Sequence, residues 1–555
     1  MPNFKRKIVK GLPMVFGYFG IFAILIGLLD LAPLLMVAFY RSETGAVFPF
    51  LIVGGTNILI GSVLYFVFLF RRPRTRFERY EDAFLLALTW IHALVSGAFP
   101  FFLADLFVPG ALGMNFTASF FEASSAYSTT GMTNFVDFVD VEGAFCPHVY
   151  CFHRSLMQFI GGCGLVLLLS TVLGGQNGTS LYVSEGHSDK LLPNLGRSAK
   201  LIFAIYIGYT ALGTIALFLA GMDWFDAINT SMCALSGGGM SPRAASISTY
   251  RAFDGTYVLN GVTPCNSIAI EMIVMVLVVL SGVSFVLHTL LLRGKVLKFL
   301  RDDEIIYMGV MGVFSITVAF FSVCGYCALM NNTPFFASAS SNLRDSAFYV
   351  VGSFTTSGFS NTSLERFRAM GRPLLFICTF LMVLGGGAGS AAGGIKMYRI
   401  VIMLKDLAHS IRHRFDPSHQ MHPRLIYRYG KMQDLDEPMV REAHRYAILF
   451  IAIYGTLVLV STCLPFYNGE NGVEYAAFDV ASAMSNTGLA MNDFSAYRAQ
   501  YPEASYVLLW LLSIGEILGR LEVLPFVNSI RCGYEEVTYS IHRRRIENRN
   551  KANQK

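Results

Sequence analysis

The phrase TTGMT at Thr129 returns as GGGMS at Gly237, as TSGFS at Thr356 and as NTGLA at Asn486. Aligned on Gly131, Gly239, Gly358 and Gly488, each copy has a small residue before the glycine and an apolar one after it. Backbone carbonyls can replace the water shell of a potassium ion when the chain turns them inward, and glycine reaches the dihedrals that this needs without a Cβ clash. The residues placed to do so are Thr129, Thr130 and Gly131, then Gly237, Gly238 and Gly239, then Thr356, Ser357 and Gly358, and finally Asn486, Thr487 and Gly488. The hydroxyls of Thr129, Thr130, Ser357 and Thr487 would hold the loops or lend an oxygen at the inner edge. One such phrase alone reads as a glycine turn at a membrane interface. Four in matching context argue for a shared site.

The four glycines are 108, 119 and 130 residues apart, so each phrase belongs to a repeated unit. Before each phrase runs a short amphipathic segment of about a dozen residues: FTASFFEASSAYS, WFDAINTSMCALS, LRDSAFYVVGSFT and EYAAFDVASAMSN. Such a segment is too short to cross ~30 Å of hydrocarbon, and a helix that enters and returns as a glycine loop is the economical reading. The chain is 54% hydrophobic and 14% charged, with a mean hydropathy of +0.51, which marks a polytopic membrane protein. Ten apolar runs are long enough to span: 15–39, 49–70, 83–107, 155–173, 201–220, 268–292, 306–330, 373–404, 446–464 and 506–527.

The expected fold is therefore all-α and polytopic: two N-terminal spans, then four parallel units of span, re-entrant pore helix, filter loop and span around one pseudo-fourfold pore. Its parts are a two-span hairpin at 1–75, repeats at 76–190, 191–300 and 301–404, a cytoplasmic linker at 405–441, a fourth repeat at 442–530 and a basic tail at 531–555. Two spans per repeat keep successive repeats in the same orientation, whereas an odd number would invert them. Arg and Lys cluster at Lys5–Lys10, Arg71–Arg79, Arg293–Arg301 and Arg543–Arg545, which puts both termini on the cytoplasmic side. The same clusters explain the net charge of +6 without nucleic acid. On the opposite side Asp137, Asp140 and Glu142 either gather cations near the first phrase or form a solvated loop.

Each short helix also carries a carboxylate: Glu122, Asp226, Asp345 and Asp479. Capping and packing bonds are the plainer role for these, and direct contact with an ion is the alternative. In the second span of the third repeat, Gly385, Gly386, Gly387, Gly389, Ser390, Gly393 and Gly394 make a poor helix interior, because each glycine costs about 1 kcal/mol relative to alanine. A loop below the glycine phrases is expected, with close GxxxG packing of an intact helix as its competitor. The segment lacks a GK[ST] ending and is not a nucleotide loop. Lys396 at its end faces that loop or snorkels to the interface. Arg520 lies mid-span, where it costs several kcal/mol unless it faces water or a partner such as Glu516 one turn earlier.

These phrases, with FIGGCGLVLL from Phe159, LSGVSFVLHTLL from Leu280, LGGGAGSAAGGIK from Leu384 and GEILGRLEVLPF from Gly515, resemble the Trk, Ktr and HKT superfamily of potassium transporters. The likeness is greatest to the bacterial Trk-type membrane subunit and covers essentially the whole chain. It implies potassium uptake through the four-glycine filter, since a serine in the first unit goes with sodium transport and Gly131 stands here. It also implies that the Gly385–Gly394 segment acts as an intramembrane gate and that Arg520 sits beside the pore as a barrier. A bacterial inner-membrane location, a homodimer and a cytoplasmic nucleotide-binding ring follow from the resemblance. Any NAD or ATP would then belong to that partner, with potassium as substrate and no cofactor on this chain. Met132, Met240 and the triple glycine depart from the pattern and leave a sodium-permeable pathway open.

An intramembrane enzyme is disfavoured, because His92, His288 and the serines of the phrases form no paired motif. Cys324 and Cys327 sit inside an apolar run and read as packing, while Cys146 and Cys151 flank a polar loop and would pair only in an oxidising space. The polar stretch 405–441 would dock a regulatory partner or lie against anionic lipid.

Overall fold

The computed structural model describes residues 11–71, 77, 81–107, 112–135, 147–164, 195–257, 260–331, 334–336, 338–413 and 423–521. Asp137, Asp140, Glu142, Cys146, the end of the run 155–173, the end of the run 506–527 and the basic tail lie outside them. The principal helices are α1 Leu12–Leu31, α2 Val47–Leu64, α3 Glu81–Phe107, α4 Phe116–Tyr127, α5 His148–Cys163, α6 Leu195–Leu219, α7 Trp224–Leu235, α8 Ser267–Ser281 and α9 Phe285–Leu292. They continue with α10 Asp303–Asn331, α11 Ala339–Thr355, α12 Arg372–Leu384, α13 Met397–Arg412, α14 Glu437–Thr462, α15 Gly472–Met484 and α16 Pro502–Arg520.

Among the described residues, six helical stretches are long and apolar enough to cross a membrane: Leu12–Ala38, Arg41–Leu69, Glu81–Phe107, Lys200–Leu219, Asp303–Met330 and Glu437–Thr462. Two expected spans are interrupted. The run 268–292 is divided into α8 and α9, bent by 110°, and the run 373–404 is divided into α12 and α13 by the glycine-rich segment. The four short helices α4, α7, α11 and α15 hold 12, 12, 17 and 13 residues. At ~1.5 Å per residue they fall short of a bilayer core.

The expectation of an all-α chain needs one correction. Leu425–Arg428 and Lys431–Asp434 pair as an antiparallel hairpin, β1 and β2, inside the stretch read as a linker. Tyr429 and Gly430 join them with φ of 53° and 78°. Two consecutive positive φ values are the signature of a type I′ turn, whose twist matches that of the flanking strands.

The described residues divide into two compact units, one within 1–109, 164–201 and 521–555 and one within 110–163 and 202–520. In the first, α1 and α2 approach through glycines. A Cβ on Gly20 would lie 2.6 Å from the Gly61 carbonyl oxygen, and one on Gly27 would lie 2.8 Å from that of Gly54. Such contact gives van der Waals packing that lipid tails cannot match. A buried polar knot ties in α3: Asp30 accepts hydrogen bonds from Asn57 Nδ2 at 3.0 Å and from Ser96 Oγ at 2.5 Å.

In the second unit the helices close a circuit. In contact order they run α4, α5, α7, α8, α11, α12, α15, α16 and back to α4, so that each short helix packs between the helix following its own loop and the corresponding helix of another repeat.

The glycine contacts in the first unit give a direct test. Gly61→Val should destabilise the protein by about 1–3 kcal/mol, read as a lower Tm in detergent. Gly55→Val, on the same helix with nothing within 4 Å of its Cβ position, should leave Tm unchanged.

Candidate functional site

All four short helices end in the same way. Thr129, Gly237, Thr356 and Asn486, each two residues before a ring glycine, take φ of 65°, 74°, 54° and 56°. Their N–H groups reach back three residues, to the carbonyls of Ala126, Ala234, Ser353 and Ala483. The next N–H in each phrase reaches back five: Thr130 to Ser125 at 2.9 Å, Gly238 to Cys233 at 3.0 Å, Ser357 to Gly352 at 2.7 Å and Thr487 to Ser482 at 2.8 Å. This is a Schellman motif made four times, which satisfies helix-end carbonyls by turning the chain left-handed for one residue. Only Gly237 takes that turn without a Cβ; Thr129, Thr356 and Asn486 bear the strain of about 1–2 kcal/mol.

The ring glycines meet one another. A Cβ on Gly131 would lie 2.8 Å from Gly239 N, one on Gly239 2.3 Å from Gly358 Cα, one on Gly358 2.5 Å from Thr487 O, and one on Gly488 2.1 Å from Thr130 O. The contacts close on themselves, and four helix C-termini with their partial negative charge converge there. The requirement for glycine has two causes. The closeness of the next strand holds all four to glycine, and Gly131 and Gly488 need positive φ besides, 94° and 97°. Hydroxyls brace the ring. Ser357 Oγ donates to Gly238 O at 2.6 Å, Asn486 Nδ2 donates to Thr130 Oγ1 at 3.1 Å, and Thr487 Oγ1 pairs with Ser485 Oγ at 2.7 Å.

Beyond the glycines lies a cavity of about 270 Å³ lined by Gly131, Gly239, Gly358, Gly488 and the chain that follows each. The four carboxylates staple that following chain to the short helices. Glu122 accepts from Asn134 N at 3.0 Å and pairs with Arg154 at 2.5 Å. Asp226 accepts from Arg243 Nε and the Tyr250 hydroxyl, both at 2.8 Å. Asp345 accepts from Arg366 Nε at 2.8 Å, and Asp479 accepts from Met491 N at 2.7 Å and Asn492 Nδ2 at 3.0 Å. All four are buried. Their bonds are the packing kind, directed to the loops rather than to the helix N-termini.

On the other side of the ring the segment Gly385–Lys396 is a loop. It turns on positive φ at Gly385, Gly389, Gly394 and Lys396, so the intact, close-packed helix is not formed. Gly386 O accepts from Met397 N at 2.8 Å, and Ser390 Oγ donates to Gly387 O at 2.6 Å. The bend between α8 and α9 supplies its partners. Gly387 N donates to Gly282 O at 2.9 Å, Ala391 N to Ser281 O at 3.3 Å, and Phe285 N to Gly389 O at 3.0 Å. Two broken helices thus pair each other's freed backbone groups, which hydrocarbon would leave unsatisfied. Above it the loop touches the phrases: Gly393 N donates to Thr356 Oγ1 at 3.0 Å, and a Cβ on Gly393 would lie 2.1 Å from Ser485 O. Lys396 is half-buried at the exit of the loop.

Arg520, at the end of α16, reaches across the same level. Its guanidinium donates to Ala391 O at 2.9 Å, to Gly161 O and, at 3.5 Å, to Thr129 Oγ1. Glu516 is directed elsewhere, to Ser124 Oγ.

With this geometry in place, the comparisons with known proteins are specific. The family model described as "TrkH: Cation transport protein" matches residues 49–532. The chain belongs to that family. Relatives align along nearly their whole length. An uncharacterised cation transporter of Methanocaldococcus jannaschii is 29% identical over 94% of this chain and 95% of its own. The Trk system potassium uptake protein TrkH of Escherichia coli K12 is 27% identical over 92% and 96%. The crystal structure of the potassium transporter TrkH from Vibrio parahaemolyticus superposes with a TM-score of 0.73 at 24% identity, covering 93% of this chain and 97% of that one, and shares its fold. The TrkH family is one of transport proteins and not of enzymes.

Two polar residues at this TrkH-family site were not singled out from the sequence. Gln158 on α5 is buried against the second phrase, and Glu304 at the start of α10 accepts from Ala388 N of the loop at 2.6 Å. A carboxamide inside the apolar run that follows His153 and Arg154 was the available signal for Gln158.

The staples predict a stability pattern. Glu122→Ala, which removes the carboxylate paired with Arg154 at 2% exposure, should cost about 3–5 kcal/mol in denaturant unfolding. Adding Arg154→Met should recover part of that loss.

Proposed function

We propose that this chain takes potassium into the cell through a single pore, with the ring of Gly131, Gly239, Gly358 and Gly488 as its selectivity filter. The closed contact circuit of those glycines, each delivered by a helix C-terminus, is the observation that carries the reading. Carbonyls turned inward around one axis can replace potassium's hydration shell. The four repeats run parallel, at 76–190, 191–300, 301–404 and 442–530, each with two spans, and the hairpin at 1–75 stands outside them, ten spans in all. The Escherichia coli relative is a potassium uptake protein and the Vibrio parahaemolyticus one a potassium transporter, which supports potassium as the ion.

The loop Gly385–Lys396 and Arg520 form the gate beneath the filter. A guanidinium there raises an electrostatic barrier to cations, and its bond to Ala391 O holds the loop in place. Opening requires that bond to break. The protein lies in the inner membrane with both termini cytoplasmic, works as a homodimer and is regulated by a nucleotide-binding partner at the stretch 405–441.

Flux into proteoliposomes tests both parts. Potassium and rubidium should enter well ahead of sodium and lithium, and Gly131→Ser should narrow that preference. Equal sodium entry into liposomes holding the unmutated chain would make it a nonselective cation pathway instead, the reading that Met132, Met240 and the triple glycine leave open. Arg520→Ala should raise potassium flux severalfold, and unchanged flux would remove Arg520 from the gate.

A further inference from the structure

The second phrase lacks a side chain at two positions that the other three fill, Gly237 and, next to the ring glycine, Gly238. Thr130, Ser357 and Thr487 stand immediately before their ring glycines and carry hydroxyls, while the equivalent residue of the second phrase is Gly238. The space that a side chain would use there is already filled. A Cβ on Gly238 would lie 2.0 Å from Gln158 Nε2, 2.1 Å from Cδ and 2.6 Å from Oε1, so all three nearest atoms belong to one residue. Gln158 comes from α5, in the first repeat, and is fully buried. Its Nε2 also stands 3.3 Å from the Cβ position of Gly131 and has no hydrogen-bond partner among the described residues.

The other end of the carboxamide does something more directed. Gln158 Oε1 accepts from Met240 N at 3.2 Å, and an N–H donor requires an oxygen there, which fixes the orientation of the amide. Met240 N–H belongs to the same planar trans peptide as the Gly239 carbonyl, so the two groups point in opposite directions. Drawing the N–H towards α5 turns the Gly239 carbonyl away from α5.

We propose that Gln158 is a positioning residue of the filter: it stands in for the side chain that the second strand lacks, and by holding Met240 N–H it aims the Gly239 carbonyl at the ion. The inference rests on the glycine ring being the filter. The second glycine of the triple then makes room for Gln158. Selectivity depends on the number and direction of the carbonyl dipoles, so the amide contributes to ion choice without touching the ion.

The test uses the full chain in proteoliposomes and reads the ratio of rubidium to sodium flux, with potassium-over-sodium protection against thermal unfolding as a second readout that needs no open gate. Gln158→Leu keeps the bulk and removes the acceptor. The ratio should fall roughly fivefold, the size of one lost hydrogen bond, and the excess protection by potassium should shrink with it. A packing role alone would lower both fluxes and leave the ratio as it was, which would overturn the proposal. Gly238→Ser should abolish flux, and Gly238→Ser with Gln158→Ala should restore it. A double variant as inactive as Gly238→Ser would equally overturn the proposal, and so, should Gln158→Leu not be recovered folded, would a double variant whose ratio of rubidium to sodium matches that of the unmutated chain. Gly131→Ser runs beside them: an unchanged ratio there would sink the filter reading itself, whereas a changed ratio there with no effect at Gln158 would sink only this inference.

Discussion

A backbone group inside a membrane has no water to turn to, and much of this structure follows from that constraint. A helix that stops halfway leaves carbonyls and N–H groups without partners. Among the described residues, the stops of the four short helices and of the two broken spans are answered. The four short helices close their ends with Schellman turns, and the return chains are caught by Glu122, Asp226, Asp345 and Asp479. The two interrupted helices, at Gly282 and at Gly385, answer each other across Gly387 and Gly389. Irregular backbone gathers in one place because each irregular segment supplies what its neighbour lacks.

That economy explains what could be read from the sequence. Short apolar runs before TTGMT, GGGMS, TSGFS and NTGLA place all four half-length helices, since length alone excludes a crossing. Glycine content also places the break in the third repeat, because no helix tolerates GGGAGSAAGG easily. The bend between α8 and α9 was not legible. VLSGVSFVL is apolar enough to continue as a helix, and its interruption depends on partners from a loop about a hundred residues later. The hairpin at Leu425–Asp434 was missed for a similar reason, since Tyr429-Gly430 is a weaker turn signal than Asn-Gly and the two apolar-containing runs LIYR and KMQD are only four residues each.

The roles of single residues were legible in type and less so in partner. The carboxylates of the short helices were assigned to packing bonds, but which donors they hold depends on how the chain returns after each glycine. Arg520 and Glu516 are one turn apart, yet Glu516 goes to Ser124 on another repeat and Arg520 goes to Ala391 and Gly161. Helical spacing shows which pairs are possible. It does not show which stronger offers come from elsewhere in the fold. Glycine itself proved to have two meanings, a shortage of space at all four ring positions and a dihedral besides at Gly131 and Gly488.

The ring is assembled from four unlike strands of one chain, with Gly237 at a left-handed turn where the others have Thr129, Thr356 and Asn486. An assembly of identical subunits changes all four quarters with every substitution. A chain that encodes each quarter separately can alter one carbonyl while three stand still. Its smallest heritable step is a fourth of the ring, and neighbouring helices such as α5 can adapt to that one quarter alone.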